Sequence, residues 1–470
     1  MKEPLGLIEK VTLGATLIPV AFAVYVAANP DAYLASMRGA ALYLGLPLLS
    51  VGVVAATFLL PRRLRVALFV SGWTFVSTLY AFELYFRTWG QPEGLPAGAD
   101  LRTKAEVVRD LRSEGIVAYP SVTSKSFRDA GLIISINGDT PLPLAGIPNV
   151  TTVLCNESGT WTVYVADRYG LSNPDSVWER PAQIAVVGDS FVHGACTSPG
   201  DSIAGLLRRA ESATVNLGAK GSAPLAQLAA LREYGALARP RHVVWFYNFG
   251  DLLGELEREM PDPVLSRYLD PRFSQGLAAR SQSIGNALAS AVEVEYERAL
   301  REGDERVIAG DLDDPEAVRR DRALETRFNP LGSVSWLTLQ QTRMVLGLFE
   351  GGNDWVPPDK ATFRTILAQA RREVQAWGGT LHLVAIPHWP AVVGNDPEYL
   401  ARYRKAGVEV AIELDIPAVD LTQVFREQAD PRGLFAGRQP NHYSERGYAL
   451  VAHSVATMLG LQISTAAADR

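Results

Sequence analysis

From Pro181 onward, short apolar runs alternate with amphipathic ones: QIAVV, SIAGLLRRA, ATVNL, PLAQLAALREYGALA and HVVWF, then TLHLVAIP, IPAVDL and a closing helix over about Tyr443 to Met458. This pattern admits few folds, because neighbouring parallel strands must be joined by a crossover, usually a helix. The reading is an α/β domain built on a parallel sheet. Between Asp251 and Pro358 the chain is mostly helical with charged interruptions (REGDERVIAGDLDDPEAVRRDR), which predicts an insertion or cap over about 252–357.

In such a sheet ligands bind outside the carboxyl ends of the strands, where helix N-termini leave backbone N–H groups free. QIAVVGDSFVHG places Ser190 at that edge, just after an apolar strand, which makes its hydroxyl the first candidate nucleophile. The plain alternative is a turn in which Gly188 supplies a positive φ and Asp189 or Ser190 a local cap. A nucleophilic serine also needs a base and donors for the developing oxyanion. NLGAKGSAP (Gly218, Gly221), HVVWFYNFGDL (Asn248, Gly250) and NHYSERGYALVA (His442) stand at the ends of further elements facing the same edge.

The N-terminus is of another kind. No charged side chain occurs from Val11 to Ala28, from Ala40 to Leu60 or from Val66 to Phe82. Each run approaches the roughly 20 apolar residues that cross a bilayer. Three spans are expected. Arg62, Arg63 and Arg65 follow the second run, whereas the first connection holds only Arg38 and Asp31, so the positive-inside rule puts Lys2, Lys10 and the arginines in the cytoplasm. An odd number of spans then sends everything after Phe86 outside. Glu83, near the end of the third run, is expected to face headgroups. The formal net charge of −6 gives no reason to propose a nucleic-acid partner.

The two cysteines, Cys155 and Cys196, both fall in the exported part, where one disulfide is expected; two buried thiols or a reactive Cys196 are the alternatives. Residues 88–101 read as a Gly/Pro-rich linker. A helix around Thr103 to Ser113 follows, then two hairpins turning at Asn137-Gly138 and Ser158-Gly159. The organisation is therefore a transmembrane region over 1–87, a linker and small β-rich α+β unit over 88–180, and the α/β domain over 181–470.

With these residues in place, the chain resembles the SGNH/GDSL hydrolases. GDSFVHG corresponds to the first block of that family, Gly221 to the glycine of the second and His442 to the histidine block, over about 181–260 and 380–460. A membrane-anchored bacterial subgroup, in which CNESG and NPDSVW precede the GDS block, is closer still: Cys155, Asn173-Pro174-Asp175 and Trp178 match it. The resemblance implies a three-layer, flavodoxin-like sheet, with Ser190 as nucleophile, His442 as base and the N–H groups of Ser190 and Gly221 as the oxyanion hole. Two positions depart from the pattern. Gly250 stands where the third-block asparagine belongs, so Asn248 is the substitute donor, and Gln439 replaces the aspartate three residues before the histidine. Gln439 itself, Asp430 or a backbone carbonyl is then left to orient the imidazole.

The function implied is ester hydrolysis on acylated glycans or lipids of the cell envelope, by an enzyme in the bacterial inner membrane whose catalytic domain faces the periplasm. Rival readings are an O-acyltransferase acting on envelope polysaccharide through the same serine, and a silent fold that binds glycan or organises an assembly. His193 and His388 read as structural, or as lining the cleft. No metal-ligand spacing, GxGxxG or P-loop occurs, so neither metal nor cofactor is expected.

Overall fold

The computed structural model describes residues 6–28, 41–88, 99–129, 131–302, 357–394, 396 and 398–462. These fall into two compact units, divided after Gln91. The 303–356 part of the expected insertion and most of the expected linker lie outside the described residues.

In the first unit, Leu7–Ala28 and Arg62–Tyr85 are long and apolar enough to cross a membrane, by length and composition. Between them the apolar helix Tyr43–Thr57 is shorter. The Glu9 carboxylate accepts hydrogen bonds from Gly6 N at 2.7 Å and Arg65 Nε at 2.8 Å, and Trp73 Nε1 donates to Thr12 Oγ1 at 3.1 Å. The start of the chain and the PRRLR segment therefore lie at the same end of this unit. Glu83 is buried rather than facing outward.

The second unit begins with a small sheet of β1 (Ala118–Pro120), β2 (Thr151–Val153) and β3 (Val163–Val165), in which β1 and β2 run parallel and β2 and β3 antiparallel. Before it, Thr103 caps the helix Lys104–Ser113 through a reciprocal pair with Glu106. The β2–β3 connection carries Ser158-Gly159 as expected. The other hairpin is reduced to its turn. Asn137 and Gly138 have φ of 52° and 82°, and a single antiparallel bridge joins Ile136 to Asp139. Pro141 and Pro143 follow at once and have no N–H to extend the ladder.

The main sheet contains β4 (Ile184–Val187), β5 (Thr214–Asn216), β6 (His242–Tyr247), β7 (Thr380–Ala385) and β8 (Ala418–Asp420), all parallel, in spatial order β5-β4-β6-β7-β8. This is the flavodoxin-like order, with the crevice where the chain leaves β4 on one side and β6 on the other. Successive side chains point to opposite faces. Ala185, Val187, Val243 and Trp245 pack under the helices of residues 224–238, 360–376 and 398–413, while Ile184, Val186, Val244 and Phe246 pack under Ile203–Ala210 and Glu445–Met458. The three layers follow from that division. Ser202 and Ser444 cap the last two helices, accepting from Gly205 N and Gly447 N.

Candidate active site

β4 ends at Val187 and the chain turns through Gly188-Asp189 into a four-residue helix, Ser190–His193. Gly188 does not have a positive φ, so conformational freedom is not why it is glycine. A Cβ there would lie 2.5 Å from Val192 Cγ2, so tight packing demands it. Asp189 is the cap: its Oδ1 accepts from Phe191 N at 3.0 Å, which fixes the helix that begins with Ser190.

His442 enters from the opposite end of the chain, on the loop ahead of Glu445–Met458 that is pinned by the Phe435–Tyr443 bridge. Its Nε2 lies 2.8 Å from Ser190 Oγ, and its Nδ1 lies 2.7 Å from Glu157 Oε1. The second carboxylate oxygen of Glu157 accepts the backbone N–H of His442 at 2.8 Å. Ring and backbone are thus held by one acid. This acid is not one of those expected. Asp430 is occupied by Arg438 at 2.8 Å and by the turn at Gly433, and Gln439 does not replace it at Nδ1. Glu157 comes from the β2–β3 loop, 285 residues before the histidine. With Nδ1–H donating to the carboxylate, Nε2 is left as the acceptor for the Ser190 hydroxyl proton.

The cysteines explain how a remote loop reaches the site. Cys155 and Cys196 form a disulfide with Cα atoms 5.3 Å apart, joining the Glu157 loop to the segment after Ser190. The expected pairing is present. Thr162 Oγ1 donating to Thr197 O at 3.1 Å adds a second tie between the same segments. Sulfur of Cys196, an imidazole nitrogen of His442 and a Glu157 oxygen lie within 4.8 Å of one another, a grouping that suggests metal ligands. The bonds to Ser190, to Glu157 and between the sulfurs already engage these atoms.

The candidate oxyanion donors divide. Ser190 N–H opens its helix and has no intrahelical acceptor. Gly221 has φ +71°, and a Cβ on it would lie 2.6 Å from Lys125 Cδ. Gly218 N–H is spent on Asn216 Oδ1 at 2.8 Å, within the turn that Asn216 also braces by donating to Val192 O. Asn248 Nδ2 donates to Asp189 Oδ2 at 2.7 Å, which engages one of its two amide hydrogens. Gly250 is corrected: its N–H donates to Asn248 Oδ1 at 2.7 Å and is not available to an oxyanion.

Neither His193 nor His388 offers a base. His193 bridges Tyr164 OH (2.9 Å) and Lys220 N (3.1 Å), and burial pushes it down to about 3. His388 packs against the Phe191 and Phe249 rings and is likewise pushed down to about 3, by burial and then by the neighbouring His442. NPDSVW serves as scaffold: Asn173 and Trp178 both donate to the Asp167 carboxylate, and Asn173 Oδ1 accepts Asn216 N at 2.7 Å.

The helix after Gly221 is capped from behind by Glu259, whose carboxylate accepts Ala223 N, Leu225 N and Ala226 N at 2.9–3.1 Å. Burial raises Glu259 to about 7 despite these bonds and Arg128. A carboxyl raised in the fold gives stability below its unfolded pKa that is lost as pH climbs through the folded value. Glu259→Gln has no such loss. Its stability relative to wild type should therefore improve between about pH 4.5 and pH 8, by up to roughly 3 kcal/mol. Thermal melts of both proteins across that range measure the trend, and a constant difference contradicts it.

No protein-family model matches the chain, and no curated protein matches it. Among solved structures it is similar to the lipase/acylhydrolase from Enterococcus faecalis, at 14% identity and TM-score 0.32, over 61% of this chain and 100% of that one. It is also similar to the acetyl xylan esterase AlAXEase (10% identity, TM-score 0.32, 59% of this chain and 98% of that one). The acetylxylan esterase Axe2 from Geobacillus stearothermophilus matches at 12% identity and TM-score 0.31, over 61% of this chain and 98% of that one.

Proposed function

We propose that this chain is a membrane-anchored serine ester hydrolase of the SGNH type, with residues 1–87 as anchor, 88–180 as the small unit and 181–470 as the α/β domain. The observation that carries the reading is the continuous hydrogen-bond chain from Ser190 Oγ through His442 to Glu157. Ser190 attacks the ester carbonyl as its proton passes to Nε2, and His442 returns that proton to the leaving alkoxide. Water, deprotonated by the same imidazole, then releases the acid and restores the serine. The N–H groups of Ser190 and Gly221 hold the oxyanion, with the uncommitted amide hydrogen of Asn248 as a third donor.

The acid at Nδ1 supplies the orienting group that Gln439 cannot, which favours an active site over a silent fold. Two observations support placing the domain outside the bacterial inner membrane with the N-terminus in the cytoplasm. Arg65 and the start of the chain share one end of the apolar unit, as the positive-inside rule requires. A disulfide beside the nucleophile fits an oxidising compartment. Acylated envelope glycan or lipid is the substrate class within reach of such a domain.

A fluorophosphonate probe tests the assignment. The detergent-solubilised wild type should label to about one equivalent through an activated serine, and Ser190→Ala should not label. Equal labelling of the two proteins removes Ser190 from the mechanism.

A further inference from the structure

A cleft of about 480 Å³ opens beside Gly221, the second oxyanion donor, and its walls include Lys125, Arg128, Glu255, Arg258, Glu259 and Asp262. Glu259 is buried and already bonded, but an acyl chain or lipid tail lying there would strip water from Glu255 and the exposed Arg258 and return no hydrogen bonds, a large penalty. A hydroxyl-rich group would return them.

Glu255 stands apart within this wall. It is partly buried, yet among the described residues it makes no hydrogen bond or ion pair. Desolvation, reinforced by Asp189 and Glu259, raises it to about 7, so near neutrality it can both donate to and accept from a hydroxyl. Gly250 lies beside it. A Cβ at residue 250 would lie 2.8 Å from Asn248 Oδ1 and 3.3 Å from Glu255 Oε1. Asn248 Oδ1 is the contact that leaves no room for a side chain at 250, and the Glu255 carboxylate lies next to it.

We infer that this cleft is the subsite for the alcohol portion of the ester, that it takes a sugar, and that Glu255 hydrogen-bonds a free hydroxyl of that sugar. The inference rests on the ester-hydrolase reading and narrows it from glycan or lipid to glycan.

The test compares kcat/KM for a partially O-acetylated cello-oligosaccharide with kcat/KM for 4-nitrophenyl acetate, which carries no sugar hydroxyl. The full-length, detergent-solubilised protein is used. Glu255→Ala should lower the ratio of the two values about 10- to 100-fold, as loss of a charge-assisted hydrogen bond predicts, and Glu255→Gln, which cannot ionise, about 3- to 10-fold. The glutamine variant keeps the volume, so it decides the matter if the alanine variant does not fold. A ratio within about twofold of wild type in the folded variants overturns the inference. So does a wild type that cleaves 4-nitrophenyl acetate or palmitate but not the acetylated oligosaccharide. If instead Ser190→Ala cleaves 4-nitrophenyl acetate as fast as wild type, the underlying serine mechanism is what fails.

Discussion

Glu157→Gln should lower kcat for 4-nitrophenyl acetate about 10⁴-fold, the size of the loss when a serine hydrolase's histidine is left without its carboxylate. The side chain keeps its shape, so the fold has no reason to change. The amide, however, cannot accept through both atoms. One of the two contacts, to His442 N or to Nδ1, must then set donor against donor or force the proton onto Nε2, where it blocks transfer from Ser190 Oγ. The positive charge that develops on the ring also loses its counter-ion. KM should move little, because no substrate group touches Glu157 in this mechanism. Asp430→Asn and Gln439→Ala should stay near wild type, since neither side chain holds Nδ1. Steady-state kinetics on the purified variants measure this; if Glu157→Gln keeps wild-type kcat while Asp430→Asn loses it, the assignment of the acid is wrong.

The local parts of this site were legible and the distant part was not. Ser190 and His442 sit in stretches whose own apolar pattern puts them at the rim of a sheet, and β4, β5, β7 and β8 lie within the runs that alternation picks out, with β6 one residue longer than its run. Glu157 has no such marker. It lies in an irregular loop, in a small sheet whose strands are three residues long, and its role arises only when that loop is brought against His442. One signal was present in CNESG itself: an acid two residues from a cysteine that pairs beside the nucleophile is tied to the site by that bond. Gly250 is a similar case. Against the family pattern it reads as a lost donor, whereas its N–H serves Asn248 and its missing side chain leaves room for the Asn248 amide oxygen.

Removing that bond should therefore affect stability and catalysis together. Cys155 and Cys196 are 41 residues apart, and closing a loop of that length constrains the unfolded chain by roughly 4 kcal/mol at 25 °C. For a domain of this size the paired Cys155→Ser, Cys196→Ser variant should melt about 10 °C lower. The catalytic loss is local. The hairpin around Glu157 keeps its own bonds, with Leu154 N donating to Thr162 O at 2.8 Å and Thr162 N to Cys155 O at 2.8 Å, so the loop persists but is held to the segment after Ser190 less firmly. Reducing agent added to wild type should reproduce both losses and leave the serine variant unchanged, which separates breakage of this bond from other effects of the reductant. If thermal unfolding and kcat in the serine variant match wild type, the bond does not hold the acid in place, and Glu157 must be kept against His442 by the backbone and side-chain hydrogen bonds alone.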